Sequence, residues 1–380
     1  MLDNAKINDF ISDAFEDTLH AKRIASLANA VQGAIHSCSL AIHAIGSGLA
    51  QANGTNRKYA IKQVDRLLSN KKIDVQELLD YWVNFIITDK KEIVVSMDWT
   101  DFDSDNQCTI VLSQQTNHGR NTPLLWKTYK KTELKGHRSE YENKILEKLH
   151  SSLPEGVKVT IVADRGFSDC AKYELIDDKL GFDYIIRIKS NTYVSNENSE
   201  PCKIIDITSP GVRAKTLNNM YITSQKKHIN KILCVKKKDM KEAWYIASSR
   251  SDLNASKIIH LYSKRWGIES SFRDIKDYKF GMGMSHMHTS SPERRDKLFL
   301  ISALAISLLT LLGKAGDEVG LERTLKANTS KERTYSYWRQ GCLYYLLLPK
   351  MRDEWAIPLM EKFEYYVNQF PFYKRVFSIL

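Results

Sequence analysis

The chain reads as a mixed α/β protein with helical ends, and three observations say so. Apolar residues recur at three and four spacings from the start to about residue 88. The period then shortens to strand-like runs between Ile93 and Ile188, interleaved with two helical stretches. Helical, aromatic-rich spacing returns over residues 317–380. At 380 residues the chain exceeds what one core usually serves, so two or three domains are expected. The divisions fall at 1–88 (helical), 89–188 (sheet core, first part), 189–250 (a β-rich insertion), 251–316 (core, second part) and 317–380 (helical).

Taken in order, Phe10, Ile11, Ala14 and Phe15 open the helical region, followed by Ile24, Leu27, Ala28 and Val31. Asn53-Gly54-Thr55-Asn56 marks a turn with Thr55 or Asn56 as a cap. The stretch Arg57–Asn70 then carries Lys58, Lys62 and Arg66 four apart on one side. A basic helix after a helix and a turn suits a DNA groove, and an ordinary solvated helix has the same pattern. Ile93–Trp99, Cys108–Leu112 and Thr122–Tyr129 predict three antiparallel strands. His137–Leu149 predicts a helix, Val157–Ala163 a strand, Cys170–Leu180 a helix and Phe182–Ile188 a fifth strand. Short alternating segments near Met220–Thr223, Ile232–Val235 and Trp244–Ala247 predict the insertion. Its stretch Gln225–Lys241 has seven lysines against one acid, which fits a phosphate-facing surface or a solvated hairpin.

A net charge of +11 and a pI near 9.1 favour an acidic partner, nucleic acid or an anionic membrane surface. The six cysteines are scattered without a C-x-x-C pair, which excludes zinc-ribbon spacing and a disulfide framework and fits a reducing, cytoplasmic setting. No secretory signal pattern is expected at the N-terminus. The apolar run Leu298–Leu312 is interrupted by Ser302, Ser307 and Thr310 and is short for a bilayer, so a buried helix is expected and no membrane.

Three acids are the candidates for chemistry; a capping or loop-entry role is the other reading of Asp98 and Asp164, and Asp101, Asp103 and Asp105 compete with Asp98, which its strand-end position favours. Asp98 closes the first strand and Asp164 closes the strand before Arg165-Gly166-Phe167. Carboxylates at strand ends are held rigidly, as metal chemistry needs. Glu269 belongs to Leu261–Lys276, read as one helix. There Tyr262, Arg265, Glu269 and Lys276 fall within a stripe about 60° wide. A solvated face of i,i+4 ion pairs satisfies that stripe, and so does a grip on a polyanion beside a metal ligand. Three converging acids supply hard oxygen ligands suited to Mg²⁺, with Mn²⁺ able to substitute, and not to zinc.

The spacing Tyr-x2-Arg-x3-Glu-x6-Lys, V-V-S-M-D-W before it and D-R-G-F between them carry a resemblance. Together they resemble the bacterial insertion-sequence transposases of the cut-and-paste DDE class with the Tyr-Arg-Glu-Lys signature. The resemblance implies an RNase H-like core with a β-rich insertion, a helical DNA-end-binding domain before it and a helical tail after it. It implies a metal triad of Asp98, Asp164 and Glu269, with Mg²⁺ as cofactor. Tyr262, Arg265 and Lys276 would grip phosphates at the cleaved transposon end. Trp244 would stack on a flipped base and Trp266 would probe the vacated stack, while core packing is the other reading of both tryptophans. Arg120 is expected to contact DNA. The implied partners are double-stranded DNA, as terminal inverted repeats and target, and a second copy of the chain in the paired-end complex. Two rivals remain open: an RNase H-like nuclease without strand transfer, and a transposase-derived regulator with an idle metal site.

Overall fold

Five helices precede the first strand: α1 (Asn4–Phe15), α2 (Ala21–Ser37), α3 (Ile42–Asn53), α4 (Arg57–Ser69) and α5 (Val75–Ile87). The computed structural model describes residues 4–368 apart from 88, 208–210, 212, 224 and 239. The sequence boundary at 88, Asp239 of the lysine stretch and residues 369–380 of the C-terminal region therefore lie outside the described residues. α3 ends at Gly54, and Asn56 caps α4 by accepting the Lys58 N–H at 2.9 Å. Ala60, Val64, Leu67 and Leu68 bury one side of α4. Lys58, Lys62 and Arg66 stay exposed on the other, and Tyr59 is 72% exposed beside them. The helix, turn and basic helix expected from the sequence are all present.

The sheet follows with β1 (Glu92–Phe102), β2 (Gln107–Gln114) and β3 (Thr122–Lys130). After the short α6 (Lys131–Leu134) and α7 (Arg138–Ser152) come β4 (Lys158–Ala163), α8 (Cys170–Tyr173) and β5 (Asp183–Ile188). The next elements are β6 (Tyr193–Ser195), β7 (Cys202–Lys203), α9 (Ile204–Ile207), β8 (Lys215–Ile222), β9 (Lys227–Val235) and β10 (Trp244–Ser248). The described strands form one sheet in the order β3-β2-β1-β4-β5-β10-β9-β8-β6-β7. β1, β2 and β3 are antiparallel, as expected, and β1, β4 and β5 are parallel. The β-rich insertion is not a separate small sheet. β10 pairs antiparallel with β5, so the insertion prolongs the core sheet from its edge.

The chain closes with α10 (Ala255–Ser263), α11 (Trp266–Lys276), α12 (Pro292–Glu318), α13 (Tyr337–Leu347) and α14 (Asp353–Asn368). Strand alternation sorts the sheet faces. Ile93, Val95 and Met97 enter the main core with Phe299, Leu300 and Leu304 of α12. Val94, Val162, Ile185 and Ile246 face the other way and pack on Ile258, Leu261 and Tyr262 of α10. Asp98, in phase with Val94, therefore points to the side of α10 and α11. α12 is long and apolar enough to cross a membrane, yet 89% of its most apolar window is buried in the protein, as expected for a core helix.

Candidate active site

The ladder between β1 and β4 brings the first two acids together. The two strands run parallel in register up to Met97 opposite Ala163, so Asp98 and Asp164 are the next pair along. Asp164 follows the carboxyl end of β4, but Asp98 does not close its strand as the sequence suggested: β1 runs on to Phe102 because Asp98–Phe102 stay paired with β2, and Asp98 stands where the ladder with β4 ends. Asp98 Oδ1 accepts the Trp99 N–H at 2.9 Å. Asp164 leaves its strand and caps the turn Arg165–Phe167, with Oδ1 accepting the Gly166 N–H at 2.7 Å.

Glu269 arrives on α11, and here the structure corrects the sequence reading. Tyr262 to Lys276 is not one straight helix. α10 ends at Ser263 and α11 starts at Trp266. The joint is tightened by i→i−3 bonds from Arg265 N–H to the Tyr262 carbonyl and from Gly267 N–H to the Lys264 carbonyl, both at 3.0 Å. The cause is docking of α11 on the β2–β3 turn. Ser271 Oγ accepts the Asn121 N–H at 2.9 Å, and a Cβ on Gly267 would lie 2.2 Å from Asn121 Oδ1. A larger residue would have to displace the Asn121 amide.

The joint aims Arg265 between two of the acids. One guanidinium nitrogen lies 3.3 Å from Asp98 Oδ2 and another 2.9 Å from Glu269 Oε1. Burial pushes the Asp98 carboxyl up to about 6; Arg265 and the Trp99 N–H oppose this, and Asp164 and Glu269 add to it. Burial also works against the Arg265 charge, but Tyr262, Asp98, Glu269 and Asp164 outweigh it and raise that pKa. The donor set thus fits a hard divalent cation: three carboxylates from separate elements whose mutual repulsion calls for positive charge. Among the described residues no three acidic, histidine or cysteine side chains are yet close enough to hold one ion. In this arrangement Arg265 supplies the positive charge between Asp98 and Glu269.

Lys276 departs from the stripe and clasps the end of β1. Its Nζ donates to Thr100 Oγ1 at 3.0 Å and to the Asp101 carbonyl at 2.7 Å, and burial lowers its pKa. Arg120 is tied to α11: its Nε lies 2.5 Å from Asp274 Oδ2. The residue expected to touch DNA is thus engaged in a half-buried ion pair that holds the β2–β3 turn in place. Tyr262 is buried, and burial raises its pKa. The Trp244 ring sits 4.9 Å from Tyr262 and 5.2 Å from Trp266, which is 46% exposed. Trp244 and Trp266 therefore adjoin each other at the joint, one half-buried and one open.

Two residues that the sequence reading passed over complete the rim. Glu242, in the β9–β10 loop, accepts from Arg165 at 3.1 Å and from Arg187 at 2.7 Å. This draws the loop toward Asp164. A signal for Arg187 existed, since it is the one cation in the apolar strand Asp183–Ile188. In the lysine stretch, Lys227 pairs with Asp178 at 2.6 Å and Lys231 holds the Ser251 and Leu253 carbonyls at 2.7 Å. Lys236, Lys237, Lys238 and Lys241 remain exposed in the loop beside Glu242.

Residues 124–308 match the family model of the transposase DDE domain. The match spans Asp164, Trp244, the α10–α11 joint and Glu269, and begins after the strand that carries Asp98. It supports a DDE transposase family and a nuclease or transposase role in DNA transposition, and the mixed sheet with helical flanks is consistent with that domain. No curated protein matches the chain.

Proposed function

We propose that this chain is a cut-and-paste DNA transposase with an RNase H-like core. The carrying observation is the ladder that makes Asp98 and Asp164 neighbours, with Glu269 joined to Asp98 through Arg265. The finer resemblance, to the transposase of the tetracycline-resistance composite transposon, rests on Lys62–Asn70, His118–Arg120 and Lys326–Thr329.

Asp98, Asp164 and Glu269 are the residues that would hold Mg²⁺ or Mn²⁺. When bound, the cations activate a water or a 3′-hydroxyl and stabilise the leaving oxygen of a phosphodiester. Arg265 and Tyr262 bind phosphate oxygens beside the scissile bond, Lys276 binds one beyond the end of β1, and Arg120 braces the turn behind α11 with its outer edge toward DNA. Trp244 stacks on the base turned out near the cut, and Trp266 probes the gap that base leaves in the stack. The basic face of α4 reads the terminal inverted repeat. The reaction runs as successive in-line displacements at phosphorus. Water nicks one strand, the freed 3′-hydroxyl attacks the opposite strand to close a hairpin, and a second water opens it. The 3′-hydroxyl then attacks target DNA. Two copies of the chain act on paired ends in the cytoplasm, with the C-terminal helices as their contact.

A cleavage and joining assay tests this reading. Purified protein, Mg²⁺ or Mn²⁺ and DNA carrying the ends that flank the gene are incubated beside Glu269→Ala. Hairpin and joined products from the wild type alone support it. Binding without chemistry in either protein overturns it in favour of a regulator, and cutting without joining in favour of a nuclease.

A further inference from the structure

A short loop leaves the site between α11 and α12, and two aromatic rings stand out from it. Tyr278 is 74% exposed and Phe280 65% exposed, far more open than Trp266. The loop beneath them is tightly built. Asp277 accepts the Lys279 N–H at 2.8 Å and the Phe280 N–H at 2.6 Å. The Met282 N–H reaches back to the Asp274 carbonyl and the Gly283 N–H to the Asp277 carbonyl, both at 2.9 Å. Gly281 packs so closely that a Cβ there would lie 2.4 Å from the Asp274 carbonyl oxygen. Met282 and Met284 are buried and anchor the loop; the Tyr278 ring rests one side on His286, 5.6 Å away, and leaves the rest of its surface open.

Placement and charge say what the rings face. Lys276 ends α11 immediately before the loop, Lys279 lies between the rings, and Arg273 and His286 are close enough to Asp277 to hold its carboxyl down, behind its bonds to Phe280 and Lys279 N–H. Asp277 is thus committed to backbone, Lys276 is turned back to Thr100 and Asp101 of β1, and Arg273 and Lys279 are the cations left exposed at this corner. On its far side the loop is bonded to the helical N-terminal region, where the Leu40 N–H donates to the Met282 carbonyl at 2.9 Å. The corner thus ties the helical region that carries α4 to the helix that carries Glu269.

We propose that Tyr278 and Phe280 form a second aromatic platform that contacts the bases or sugars of the substrate DNA on the transposon side of the cut. This rests on the transposase reading. α11 separates the platform from Trp266 by about 15 Å, the length of its ten rises, or four to five base pairs at roughly 3.4 Å each. Stacking on such rings is sequence-tolerant and typically accounts for about tenfold or more in affinity per base.

The experiment uses full-length Glu269→Ala protein and end duplexes carrying 2-aminopurine at successive positions. Expected is a fluorescence change at the flipped base that depends on Trp244. A second change is expected about four to five base pairs inward that is lost in Tyr278→Ala/Phe280→Ala. The double variant should also bind about tenfold or more weakly, with an unaltered salt slope, and Tyr278→Phe/Phe280→Tyr should restore both. Lys276→Ala should instead lower the slope by about one. If the double variant keeps the inward signal and affinity while Lys276→Ala weakens binding, the platform is wrong and the transposase reading stands. If wild-type chain binds no end DNA, both fall. If the double variant changes only self-association in light scattering, the rings face a second copy and the proposal is overturned.

Discussion

Two buried arginines meet β1, one at its amino end and one at Asp98 toward its carboxyl end, and they are held in different ways. At the amino end Arg250 spends its guanidinium completely. Nε and one terminal nitrogen grip both Asp252 oxygens at 2.8 and 2.7 Å, and the other reaches Glu92 at 2.5 Å and Thr160 at 2.7 Å. At the carboxyl end Arg265 makes one contact to each of two acids, the longer at 3.3 Å. Their side chains are similarly buried, at 4% and 10% exposure. Burial therefore does not distinguish them, and completeness of pairing does. A guanidinium with every nitrogen engaged on its own chain fastens the sheet. One shared loosely between two carboxylates can be given up to a phosphate when those carboxylates find another cation.

The contrast can be broken first at Asp98. Asp98→Asn removes one charge from the Arg265 end, and cleavage of end DNA on gels is expected to fall to background while end binding persists. Arg250→Ala should leave cleavage chemistry intact in whatever folds but cost about 2–4 kcal/mol in urea unfolding, because four hydrogen bonds are lost, one of them to buried Thr160. Arg265→Ala should cost only about 1–2 kcal/mol. Equal losses in the two variants would erase the distinction.

A pH series sharpens the same point. The folded Asp98 carboxyl, at about 6, keeps its proton above the range where the unfolded one, near 4, has lost it. Between those values the folded state holds more protons, so stability falls as pH rises, and the full loss is present above pH 6. It amounts to about 3 kcal/mol at most. Asp98→Asn should therefore unfold at higher urea than wild type near pH 8 and show no gain below about pH 4. A gain that is the same at both pH values would mean that the charge is not the cause.

Smaller effects are expected at the brace. Arg120→Ala and Asp274→Ala should be non-additive by about 1–3 kcal/mol in a double-mutant cycle. Smallest of all, Lys62→Ala on α4 should leave stability unchanged and reduce the salt dependence of end binding by about one counterion. An unchanged slope would take that helix out of the DNA interface.

The strands were legible in the sequence because a hydrophobic run that stops at an aspartate is a local pattern; it marked the end of β4 at Asp164, but β1 runs four residues past Asp98 because its partner β2 keeps pairing with it. The basic helix after Gly54 was legible for the same reason. The break at Lys264–Arg265 was not, since no proline marks it and helical spacing runs straight through. It is imposed from outside, by Asn121 pressing on Gly267 and by the acids drawing on Arg265. The pairing of β10 with β5 was equally hidden, because alternation says that a strand exists and not which edge it joins. Arg120 read as a free cation because its partner Asp274 lies far along the chain.

The ladder that seats Asp98 beside Asp164 has an evolutionary consequence. Two residues far apart in the chain are kept in step by main-chain bonds that any side chains can make. The excursion between them is therefore free to change length wherever it loops away from the sheet. The link between α6 and α7, where Gly136 turns with φ near 82° in open space, is such a place. Relatives could gain or lose residues there without disturbing the spacing of the two acids.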